Sequence, residues 1–231
     1  MKPKPRRNVG EIGPFRVTVS SEGTISERIP ANIPPKKESA EAFFVNHFIQ
    51  EYNLSEPLGR GYPIFILRQN DTADLDFDIF SPRANKLELA EITPLSQPFG
   101  QSAEKGAQII VHEYASWIFG SIIAAKEKSY RGRHLDLASI MLALYVTHDE
   151  FLPNDSVIDC LRQLCREYGA TFEAIFVLTT NGIDLRILNL IHPFPLSTLP
   201  PSAAYKELAY YNLTNFTTFG PGDEFRDPTQ D

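Results

Sequence analysis

Apolar positions along the chain recur in three rhythms, and each rhythm predicts an element. In SAEAFFVNHFIQEYN (39–53), Phe43, Phe44, His47 and Phe48 fall at helical spacing, with Ser39 as an N-cap. Three strands are predicted next, PIFILRQ (63–69), ADLDFDIF (73–80) and KLELAEIT (86–93); SPRAN, a turn composition, separates the last two, and Pro94 ends the third. SAEKGAQIIVHEYASWIFGSIIAAKEKSY (102–130) reads as one long helix, capped at Ser102 and carrying a broad apolar face that includes Trp117. LASIMLALYVTH (137–148) is a continuous apolar run, the pattern of a central strand buried on both sides. NDSVIDCLRQLCREYG (154–169) predicts an amphipathic helix capped at Asn154 or Asp155 and stopped at Gly169. FEAIFVLTT and DLRILNLIH then flank Asn181-Gly182, a signal for a type I′ hairpin.

The order helix, three strands, helix, strand, helix, hairpin implies an α/β fold with a mixed sheet and helices on both faces. Residues 1–37, rich in Pro, Lys and Arg, form an arm around one strand-like run, FRVTVS (15–20), read as an arm or edge strand. Residues 38–192 form the core, and 193–231 a Pro- and aromatic-rich tail that wraps the surface. No internal repeat or linker divides the core.

Acids interrupt this pattern in two neighbouring strands. Asp74, Asp76 and Asp78 share one face of the first, Leu75, Phe77 and Ile79 the other, and Glu88 and Glu91 lie in the second. An unpaired buried carboxylate costs several kcal/mol. Two adjacent strands that gather carboxylates therefore suggest a cation site or an acid–base site.

Composition narrows the classes. At 231 residues and 42% hydrophobic content the chain is long enough for one α/β domain. No apolar run reaches the roughly 20 residues of a membrane span. The basic start, MKPKPRRNVG, is not followed by an apolar stretch and does not read as a secretory signal. Cys160 and Cys165 fit neither a disulfide framework nor a zinc site; they are expected as packed apolar positions in a reducing, cytoplasmic setting. A net charge of −7 does not favour nonspecific nucleic-acid binding, although clustered acids that hold a divalent ion would contribute to it. There is no Gly-x-Ser-x-Gly elbow, no Gly-rich phosphate loop ending in Lys-Ser/Thr and no dinucleotide fingerprint.

The element order, with acids on the second and third strands, resembles the restriction-endonuclease-like, or PD-(D/E)XK, nuclease superfamily over roughly residues 39–192. That resemblance implies a metal-dependent nuclease, with Mg²⁺ as cofactor and nucleic acid as partner. Asp76 or Asp78 matches the family's metal-holding Asp, and Glu88 or Glu91 its Glu. Spacing does not choose; Lys86 marks the solvated start of the strand, which favours Glu91 for the buried role. The family's Lys then falls on Thr93, or on Ala90 if Glu88 is used, and neither is a cation. Lys105, at the start of the following helix, is the expected substitute, so the expected catalytic set is Asp78, Glu91 and Lys105. Glu41 matches an accessory acid, and Gln108 a polar helical position.

Each signal also has a plainer reading. The aspartates suit the solvated face of a half-exposed strand, and Glu88 or Glu91 suits a structural pair with Lys86, Arg83 or Lys105. His148-Asp149-Glu150 suits a polar loop after the central strand, and His112-Glu113 a helix-face pair. The alternative function is a catalytically silent relative that serves as a binding or assembly module, its contact surface the tail aromatics Tyr205, Tyr210, Tyr211, Phe216 and Phe219. Oligomeric state is left open, a homodimer included.

Overall fold

The computed structural model describes residues 15–20, 23–28, 33–34, 37–54, 63–70, 75–92, 109–147, 151–179, 187–193 and 199–210. It is an α/β protein built on a six-stranded mixed sheet. Ahead of the sheet stand the hairpin β1 (Phe15–Ser20) and β2 (Gly23–Arg28), paired antiparallel as a sheet of their own, and the helix α1 (Lys37–Leu54). The FRVTVS run is therefore half of a separate hairpin and not an edge of the main sheet. Helix α1 begins at Lys37, which puts Ser39 inside its first turn and not at the cap.

The main sheet takes its strands in chain order: β3 (Phe65–Gln69), β4 (Phe77–Phe80), β5 (Lys86–Ile92), β7 (Ile140–Val146), β8 (Ala174–Thr179) and β9 (Ile187–His192). The first three form an antiparallel meander, β5, β7 and β8 run parallel, and β9 turns back antiparallel. Parallel neighbours need crossover connections. Helix α2 (111–132) supplies one between β5 and β7, and α3 (Asp155–Glu167) the other between β7 and β8.

All seven residues of β7 are buried, as its unbroken apolar run requires of a strand covered on both faces. Alternation divides its side chains between the two layers. Tyr145 stacks on Phe44 of α1 at 4.1 Å, and Phe176 of β8 meets Phe48 at 5.3 Å. Residues of opposite parity face α2 and α3. Asn154 caps α3 by accepting from the Val157 amide at 3.0 Å, and Gly169 ends it at a φ of +67°, where a side chain would be strained. Both cysteines are free and buried on α3, and burial pushes the Cys160 thiol up to about 12.

Helix α2 departs from the single regular helix predicted for 102–130. A two-residue strand, β6 (Ile109–Ile110), pairs with β10 (Ala209–Tyr210), and the helix starts only after it. It runs through three segments, Val111–Ile118, a π-helical turn Phe119–Ala124, and Ala125–Gly132. Residues 101–108, with Lys105 and Gln108, lie outside the described residues, as do Asp74, Thr93, the His148-Asp149-Glu150 run and the Asn181-Gly182 turn.

Candidate functional site

The turn between β4 and β5 decides which acids meet. Asp78 pairs with Lys86 and Phe77 with Leu87, so one further step of the same register sets Asp76 opposite Glu88. Strand β4 begins at Phe77, whereas β5 runs on to Ile92 beside β7. Beyond Phe77 the sheet loses a strand, and a cavity of about 280 Å³ opens at that step. Asp76, Glu88, Glu91, Glu41 of α1 and Ser121, Ile122 and Lys126 of α2 are among its lining.

Asp76 and Glu88 are tied to each other through the backbone. The Asp76 amide donates to Glu88 Oε2 at 3.2 Å, and the Leu89 amide donates to Asp76 Oδ2 at 2.8 Å. Among the described residues nothing donates to Asp76 Oδ1. Burial, and then the neighbouring Glu88 carboxylate, push the Asp76 carboxyl up to about 6, against the opposing pull of the Leu89 amide and Lys126. Glu88 is itself 7% exposed, and its Oε1 forms an ion pair with Lys126. The Tyr130 hydroxyl lies 3.5 Å from the Lys126 ammonium, one helical turn further on, and burial beside Glu88 pushes that phenol upward.

Lys126 reaches the site because of the shape of α2. In a π turn residues five apart come to one side, and Ser121 and Lys126, five apart, both line the cavity. Such turns are rare and concentrate at functional sites.

Asp78 and Glu91, the pair expected to act together, are held apart from one another. The Asp78 carboxylate takes Lys86, Arg68 at 3.3 Å and the Asn70 amide at 3.2 Å, and these bonds pull its pKa below the usual range. Glu91 lies three residues beyond Glu88 and so points to the opposite face, where its register partner is Tyr145. It lines the same cavity and accepts from the Thr147 hydroxyl at 2.5 Å. The acids brought together across the strands are Asp76 and Glu88, and the described cation beside them is Lys126, which the sequence pattern does not single out.

Hard oxygen donors facing an open cavity suit Mg²⁺, which binds through one or two carboxylates and keeps several waters. Asp76, whose Oδ1 accepts from nothing among the described residues, and Glu88, already paired with Lys126, are the two carboxylates that could supply such ligands. Among the described residues no group of three or more His, Cys, Asp or Glu side chains is placed to hold a metal ion. No described helix is long and apolar enough to cross a membrane. Compared with known proteins, the chain matches no family model, no curated protein and no solved structure.

Proposed function

We propose that this protein is a metal-dependent nuclease of restriction-endonuclease-like fold, hydrolysing phosphodiester bonds with Asp76, Glu88 and Lys126 at its site. One observation carries the reading: a carboxylate from β5, one from the residue just ahead of β4 and one lysine from the following helix meet in an open cavity where β4 has not yet begun. The chain-order sheet, with an antiparallel second strand and a parallel β5–β7 step, agrees with the fold that the sequence resembles. Ala90 stands where the family carries its lysine, and Lys126 supplies the ammonium from α2 in its stead.

Asp76 and Glu88 would hold the ion. Bound Mg²⁺ supplies Lewis-acid activation of water and neutralises charge on the phosphate. Lys126 orients the attacking water and stabilises charge on the phosphoryl oxygens as it develops; contacts of this kind are worth ~10²–10³ in rate. The Leu89 amide fixes the Asp76 carboxylate, and the Asp76 amide fixes that of Glu88, so neither acid must be ordered at the moment of reaction.

The test is cleavage of labelled single- and double-stranded DNA and RNA with Mg²⁺ or Mn²⁺, and with EDTA, by the protein and by a folded Asp76→Ala/Glu88→Ala variant. Metal-dependent cutting lost in the variant supports the reading; no cutting by either protein refutes it.

A second reading, a catalytically silent binding or assembly module, is favoured by a different observation. Phe65 (52% exposed), Leu67 (66%) and Phe80 (58%) present apolar side chains to solvent on the β3–β4 hairpin. That hairpin, and not Tyr205, which is buried, would be its contact surface; the other tail aromatics lie outside the residues whose side chains are described.

A further inference from the structure

Both Glu88 oxygens are occupied in the metal-free arrangement, Oε1 by Lys126 and Oε2 by the Asp76 amide. The Lys126 side chain is 26% exposed and that of Glu88 9%, so water screens their pairing weakly. Among the described residues Glu88 is the carboxylate that Lys126 pairs with, and the remaining polar neighbour of that ammonium is the Tyr130 hydroxyl at 3.5 Å. Among the described residues nothing donates to Asp76 Oδ1, whereas both Glu88 oxygens already accept and the Tyr130 hydroxyl bonds Glu88 as well. A divalent ion held by both acids would therefore share the Glu88 carboxylate with the ammonium.

We propose that Lys126 is a resident counter-cation of the site: it neutralises Glu88 until a divalent metal displaces it, and the displaced ammonium, still beside Tyr130, is then presented to the substrate phosphate. The inference rests on the metal-dependent reading above. It adds an order of events, since Lys126 becomes available to substrate only after the metal has entered. The physical basis is competition: two cations drawn to one carboxylate repel each other, and the divalent ion carries the larger charge. Loss of the Glu88 pairing leaves Lys126 in the cavity lining, which it shares with Ser121.

Two measurements on the full chain test this. The first is acylation of lysine amines, read by peptide mass spectrometry with and without Mn²⁺, with Mn²⁺ binding followed in parallel by the loss of the free-ion electron paramagnetic resonance signal. Labelling of Lys126 should rise several-fold on Mn²⁺ addition, while Lys86, paired to Asp78 outside the cavity lining, stays unchanged. The second is Mn²⁺ affinity of Lys126→Met, checked for folding by circular dichroism. Removing the competing ammonium should tighten binding by about tenfold, equivalent to ~1.4 kcal/mol, and Lys126→Arg should remain near the parent. Mn²⁺ binding with unchanged Lys126 labelling overturns the displacement and leaves the nuclease reading standing, as does binding that Lys126→Met fails to tighten. Absence of Mn²⁺ binding to both the parent and Lys126→Met overturns this inference and the metal-dependent function together.

Discussion

Asp76 and Asp78 are the same residue type, two positions apart on either side of the first residue of β4, and their surroundings drive them in opposite directions. Asp78 lies within β4, opposite Lys86 and beside Arg68 and Asn70, and its pKa is pulled down. Asp76 lies one residue before the strand begins, opposite Glu88, and its pKa is pushed up to about 6 by burial and by that like charge. An acid surrounded by cations is explained by the fold it supports. An acid buried against another acid costs stability and calls for a different account, and such costs concentrate at functional sites.

The sharpest way to break the comparison is to neutralise one acid at a time and follow metal-dependent cleavage. On the proposed reading, Glu88→Gln and Asp76→Asn should each lower cleavage by ~10³ or more, because each would remove a metal ligand and charge that holds the ion. Asp78→Asn should stay within about threefold of the parent, since its partners are structural. Equal losses in all three variants would erase the distinction. The next largest effect is expected from Lys126→Met, a fall in kcat of ~10²–10³ with metal still bound. A fall in metal affinity in its place would make Lys126 a structural prop.

Stability offers a test that does not depend on substrate. The folded Asp76 value of about 6 lies above the ordinary value of 3.8, so the favourable contribution of its protonated form is present below about 4 and lost as pH rises through about 6. At pH 8 the ionised carboxylate is a burden, and Asp76→Asn should stabilise the metal-free protein by about 1–3 kcal/mol. The gain should disappear near pH 4. Thermal melts of both proteins across that range, in EDTA, check it; an Asn variant less stable at pH 8 would mean that the carboxylate supports the fold.

Much of the scaffold is legible because periodicity reports burial. The unbroken apolar run of 140–146 suits only a strand covered on both sides, and Asn154 and Gly169 punctuate α3 by side-chain and backbone chemistry that acts locally. The strands that carry the site are legible for the same reason, since acids in an apolar run stand out. The choice among the acids is less so. The hairpin is centred on Pro82, one residue short of the middle of SPRAN, and that register sets Asp78 against Lys86, an opposite-charge cross-strand pair, and Asp76 against Glu88, a like-charge pair. A turn centred on Arg83 would instead set Asp78 against Glu88, so the one-residue offset that separates the two aspartates comes from the structure and not from the turn composition.

Lys126 is harder to read. It lies 38 residues beyond Glu88, and its direction depends on a π turn that helical periodicity does not announce. The resemblance leads instead to Lys105, near the expected start of a helix that in fact begins at Val111. A regular 3.6-residue period carried from Ser102 misplaces every later side chain once an extra residue enters one turn.

The smallest effect sharpens the other half of the comparison. Asp78 has a depressed pKa, so its contribution to stability is present above the ordinary carboxylate range and lost as pH falls through the lower folded value. Its side chain is 24% exposed and its partners Lys86 and Arg68 are 37% and 71% exposed, so solvent screens most of the attraction. Asp78→Asn should therefore cost less than about 1 kcal/mol at neutral pH, and added salt should shrink that cost further because exposed ion pairs are screened. Asp76→Asn should respond to salt far less, because its destabilising neighbour is the buried Glu88. Urea melts of both variants at low and high salt measure the contrast. A large, salt-insensitive loss at Asp78 would mean that this carboxylate, too, belongs to a desolvated network, and the line drawn between the two aspartates would have to move.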